Sequence, residues 1–201
     1  MMNNQLSPLL ISVSKVISNF FNPLTSLLIF FIYYSSKNYG FEEAIRRFLP
    51  ILFITIIPIS GWIFWNVKTG KYSNMDVSNR NQRKSLYIFI GISMAVYLLY
   101  DFFTKGKLDL VMFFLLVLLL VMQLSNYFIK SSMHTAFNFF VAALFFRENE
   151  MLGLLWIGIS VLVGSTRIIL KRHTPKEVMM GATLAILVSF IYLYTSIQIQ
   201  H

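Results

Sequence analysis

The chain has 201 residues, of which 57% are hydrophobic and 12% charged, with a net charge of +9 and no cysteine; its mean hydropathy is +0.68. A soluble domain carries about twice that charged fraction, so an exterior made for water is excluded and helices in a bilayer are implied. The lack of cysteine excludes disulfides, thiolate metal sites and cysteine nucleophiles, which leaves any chemistry to oxygen and nitrogen groups.

The basic residues sit in short loops between apolar runs, a placement suited to anionic headgroups or phosphates and not to nucleic acid. At about 20 residues per span, the length gives room for six or seven helices. The expected fold is therefore all-α: a polytopic transmembrane helix bundle forming a single integral membrane domain over residues 1–201.

In chain order, the N-terminus lacks the basic region, apolar stretch and small-residue cleavage site of a removable signal. From Leu9 to Phe21 apolar residues are interrupted by Ser12, Ser14, Lys15 and Ser18, and Asn22-Pro23 punctuates the run. An interfacial helix leading into a short first span from about Pro23 to Tyr34 fits. The next span runs from about Phe48 to Val67, with Pro50 and Pro58 tolerated among other helices and Trp62 and Trp65 suited to an interface. Lys68 to Lys84 is the longest polar stretch. Spans over Leu86–Phe103 and Leu110–Ile129 form a hairpin through Thr104-Lys105-Gly106-Lys107. After Ser131-Ser132-Met133-His134 come a short apolar run to Phe146, a polar turn to Glu150, and a span over Met151–Leu170. The last span follows Lys171-Arg172-His173-Thr174-Pro175 and reaches about Ser196. No internal repeat supports an inverted-repeat transporter.

Two spans separate the 68–84 loop from the cluster at 131–134, and two more separate that cluster from 167–177, so all three open on one membrane face. The chain has three histidines. His201 is terminal, and His134 and His173 each fall in one of these clusters. Imidazole is the side chain best suited to proton transfer or nucleophilic attack near neutral pH. Arg167, near the end of an apolar run, is costly there unless paired or functional.

These residues resemble the type 2 phosphatidic acid phosphatase superfamily, which includes lipid phosphate phosphatases and shares its site with vanadium haloperoxidases and bacterial acid phosphatases. The family pattern of Ser-Arg, five residues, His, three residues, Asp is matched by Thr166-Arg167, His173 and Glu177. Its Pro-Ser-Gly-His motif appears as Ser131-Ser132-Met133-His134, and Gly181 falls where the family's following helix has a small residue. Its first, Lys–Arg motif has candidates in Lys71, Arg80 and Arg83.

The resemblance implies a membrane-embedded phosphatase of lipid phosphates or polyprenyl diphosphates, without metal or cofactor. It assigns His173 as the nucleophile that forms a phosphohistidine, His134 as the acid for the leaving group, and Glu177 as the support of His173. Lys71, Arg80, Arg83, Ser132 and Arg167 would hold the phosphate. Other roles stay open: Thr174-Pro175-Lys176-Glu177 is also a capping box, Ser131 or Ser132 an N-cap, and Arg80 and Arg83 a face for anionic lipid. A non-catalytic protein that binds anionic lipid or transports a phosphorylated solute is the alternative.

The expected location is a bacterial inner (plasma) membrane. The positive-inside rule places the motif face in the cytoplasm, whereas bacterial members of the family often work on the outer face. Membrane lipids are the expected partners, nucleic acid is not one, and the oligomeric state is open.

Overall fold

A computed structural model describes residues 7–77 and 79–199, and among them it contains helices and no strand. The elements are α1 (Pro8–Phe20), α2 (Pro23–Asn38), α3 (Phe41–Ile51), a π-helical turn (Leu52–Ile56), α4 (Ile57–Lys68), α5 (Arg80–Lys105), α6 (Leu110–Ser125), α7 (Met133–Glu148), α8 (Glu150–Ile169) and α9 (Pro175–Gln198). They pack as two compact units: residues up to Tyr34 with Ser131–Leu193, and Ser35–Lys130 with the residues from Tyr194 on.

Local chemistry sets most helix ends. Ser7, Asn79, Asp109, Ser132 and Asn149 are N-caps whose side chains accept a hydrogen bond from an amide in the following turn, as orphan N–H groups require. Gly106, at φ 68°, ends α5 in the left-handed region that glycine enters without a Cβ penalty. At Asn22-Pro23 the chain bends by 54° between α1 and α2. Asn22 stabilises the bend by accepting from Thr25 N at 3.0 Å while donating to Asn19 O at 2.7 Å.

Among the described residues four helices are long and apolar enough to cross a membrane: Phe41–Lys68, Arg80–Lys105, Glu150–Ile169 and Pro175–Gln198, with a fifth if the bent α1–α2 pair counts as one broken span. The six or seven spans expected from the sequence thus contract to four or five by length and composition. The reason lies in α6 and α7, each 16 residues long, short of the about 20 that a span needs. The apolar run to Phe146 is a core helix, with every residue from His134 to Phe145 buried except the half-buried Phe139. The span expected from Phe48 begins earlier, at Phe41, because α3, the π turn and α4 form one helix of 28 residues. Pro50 and Pro58 flank its π turn, where the widened backbone absorbs the missing N–H groups.

In the first unit α7 lies along α8, and α1 packs on α8. Phe145 and Trp156 stack at 4.6 Å. Gly153 allows the close approach, since a Cβ there would sit 2.5 Å from Phe146 Cα. In the second unit α5 and α6 form the expected hairpin, and α4 packs on α5. Trp62 stacks on Phe89 at 4.4 Å and donates to Tyr72 Oη at 3.1 Å. Trp65 is the exposed one.

Candidate functional site

The turn between Arg167 and His173 is built by the backbone. Helix α8 ends with Lys171 in the left-handed region, at φ 54°. Lys171 N donates to Ile168 O at 2.9 Å and Arg172 N to Arg167 O at 3.0 Å, the paired bonds of a Schellman motif with lysine where glycine is usual. His173 N also donates to Arg167 O, at 3.2 Å. The five-residue interval between arginine and histidine is thus the length of chain that folds His173 back onto the last turn of α8.

Arg167 is among the largest fully buried side chains, 1% exposed, and its Nη1 donates to Ser18 Oγ of α1 at 2.8 Å. The His173 side chain is fully buried, with Nδ1 2.8 Å from Glu177 Oε2. That oxygen also accepts from Thr174 N at 3.1 Å, while Glu177 N donates to Thr174 Oγ1 at 3.3 Å. The two readings of Glu177 therefore hold together: it completes the capping box of α9 and orients His173. A carboxylate only accepts, so against it Nδ1 is the ring nitrogen that carries a proton, and in the neutral ring the lone pair is then on Nε2.

The start of α7 meets this turn through backbone. Ser132 is fully buried; its N donates to Glu177 O at 3.0 Å, and its Oγ accepts from Thr135 N at 3.4 Å and Thr135 Oγ1 at 3.0 Å. A Cβ at Gly181 would lie 2.6 Å from Ser132 O, and one at Gly164 would lie 2.9 Å from Val178 Cγ1 and 3.5 Å from Thr135 Cγ2. Two glycines thus let α8, α9 and the first turn of α7 close together. His134 is the second residue of α7 and is buried. Its carbonyl accepts from Asn138 Nδ2 at 2.8 Å, and the same amide donates to Phe21 O at 2.8 Å while its Oδ1 accepts from Ser26 Oγ at 2.9 Å. Asn138 thereby ties the α1–α2 bend to the turn that carries His134.

Ser132, Arg167, His173, Glu177 and the turn bearing His134 are brought together. The N-terminus of α7 and the buried guanidinium of Arg167 each favour an anion, whereas the N-terminal amides of α9 are already capped by Glu177 and Thr174. Lys71, Arg80 and Arg83 belong to the other unit. There Arg80 Nε donates to Asn126 O at 2.7 Å and its Nη2 to Tyr127 O. Arg83 is buried, with Nε donating to Val77 O at 2.9 Å. Lys71 is exposed. His201 lies outside the described residues.

Sequence reasoning missed Ser18, Asn138 and Gly164. The signal available for Ser18 was its spacing from Ser14: both are buried while Val13 and Val16 face outward, so this apolar helix turns a stripe of small polar residues inward. Among the described residues no group of three or more histidine or acidic side chains gathers as a metal-binding set. No protein-family model, curated protein or solved structure matches the chain.

Proposed function

We propose that the chain is an integral membrane phosphatase of lipid phosphates or lipid diphosphates that works through a phosphohistidine at His173. The observation that carries this reading is the His173–Glu177 pair, 2.8 Å apart, on a turn hydrogen-bonded to Arg167 and against the start of α7. A phosphate ester resists attack because its oxygens repel the nucleophile, so its charge must be neutralised as the bond forms. Arg167, Ser132 and the amides opening α7 supply donors for that purpose.

In this mechanism Nε2 of His173 forms the N–P bond as the P–O bond to the lipid breaks, and His134 gives its proton to the departing oxygen. Glu177 holds the Nδ1 proton and stabilises the positive charge that the ring gains. A water, losing a proton to His134, then attacks phosphorus, the N–P bond breaks, and inorganic phosphate leaves. The four helices of spanning length suit a lipid substrate, whose phosphate stays at interfacial depth while its chains remain in the bilayer.

The test is phosphate release by the purified protein from phosphatidate and from a polyprenyl diphosphate, comparing the parent with His173→Ala and His134→Ala. Release by the parent that both substitutions abolish in folded protein supports the reading. No release from either lipid, with anionic lipid still bound, leaves a lipid-binding protein instead.

A further inference from the structure

Within the second unit, a groove of about 750 Å³ opens between the start of α3 and the end of α5. Its volume falls in the range of small-molecule sites, about 300–1,000 Å³. The charged residues lining it are of two kinds. Arg47 Nε and Nη2 donate to Glu43 Oε1 at 3.0 and 2.7 Å, and its guanidinium lies 4.2 Å from the centre of the Tyr39 ring. Lys105 is paired with Asp101. Those four charges are neutralised within the protein.

Glu42 and Arg46 are not. They stand one helical turn apart, at a spacing where opposite charges ordinarily pair, as Glu43 and Arg47 do on the same helix. Both are exposed and line the groove, and neither forms an ion pair with any described residue. The groove therefore presents a cation and an anion side by side. Apolar surface lies beside them: Phe41 is 81% exposed, and Ile45 and Leu49 are each 41% exposed on the same helix. A water-soluble zwitterion would leave that surface uncovered, whereas acyl chains cover it.

We infer that this groove binds a phospholipid whose headgroup carries both a phosphate and a primary ammonium. Arg46 donates to the phosphate, Glu42 accepts from the ammonium, and the chains run along Ile45 and Leu49. A primary ammonium offers three N–H donors to the carboxylate. A quaternary one offers none, so the site discriminates by hydrogen bonding as well as by charge. This site is separate from the residues proposed for catalysis and does not depend on them.

Native mass spectrometry of the detergent-solubilised full chain, titrated with phosphatidylethanolamine, phosphatidylcholine and phosphatidylglycerol, tests the assignment. The parent is expected to retain phosphatidylethanolamine about two- to fivefold more tightly than the other two, the size of one exposed charged contact. Glu42→Gln should erase that preference, and Arg46→Gln should weaken retention of all three lipids; circular dichroism verifies the fold of both. Equal retention of the three lipids by the parent would overturn the inference. So would phosphatidylglycerol ranking first, or unchanged selectivity in both variants.

Discussion

The residues expected from the sequence to serve the phosphate are held in different ways in the two units. In the first, Arg167 and His173 are buried and each has a polar partner on the chain, Ser18 and Glu177 respectively. In the second, Arg80 and Arg83 direct their Nε–H groups to backbone carbonyls of a turn and a loop. A guanidinium on carbonyl oxygens satisfies acceptors that a short helix end leaves open, while an imidazole on a carboxylate has its tautomer fixed. Under the proposed function Glu177 orients the reactive ring of His173, whereas Arg80 and Arg83 hold backbone within their own unit.

The largest expected effect concerns the closeness of helices in the first unit. Gly181→Ala would push a Cβ against Ser132 O, 2.6 Å away, with backbone on both sides unable to give. Overpacking of this kind costs about 1–3 kcal/mol, so the variant should melt at lower temperature and release less phosphate. Gly158→Ala, where an added Cβ meets nothing outside its own helix, should melt at or slightly above the parental temperature. A Gly181→Ala variant that melts no lower than the parent would show that the helices can part without penalty.

Glu177 comes next, because its two roles can be split. Glu177→Gln keeps an acceptor for Thr174 N but removes the charge, and it should slow phosphate release by about tenfold or more at nearly parental stability. Glu177→Ala should show the same loss of rate and about 1 kcal/mol less stability, the worth of a cap. Full activity in the glutamine variant would reduce Glu177 to a helix cap.

For the second unit, Arg80→Ala should lower stability by about 1 kcal/mol through its lost hydrogen bonds and leave phosphate release per folded molecule unchanged. A drop in release at parental melting temperature would show that Arg80 serves the phosphate, as the resemblance implies. The smallest effect should be a gain: Lys171 occupies φ 54°, and glycine there removes about 1 kcal/mol of backbone strain. Lys171→Gly should raise the melting temperature slightly.

Much of this architecture was legible in local chemistry. The break at Asn22-Pro23, the α5–α6 hairpin closed at Gly106 and the start of α9 at Pro175 all follow from residues with strong turn or cap preferences. Helix α7 was harder to read, because a helix buried on every side carries no amphipathic period to mark it as core. For the candidate site, the Arg167–His173–Glu177 spacing and Ser132 were visible in sequence. The Ser18 contact was not, since it joins residues 149 apart in the chain. The left-handed turn at Lys171 was hidden for another reason: lysine gives no sign of a conformation usually marked by glycine.

The most direct test of the central claim is to quench the purified protein during turnover of a lipid phosphate and map phosphoryl groups on its peptides by mass spectrometry. The account predicts an acid-labile phosphoryl group on the peptide containing His173, absent from His173→Ala. Phosphate release that proceeds without such an adduct, or that survives in His173→Ala, would contradict it.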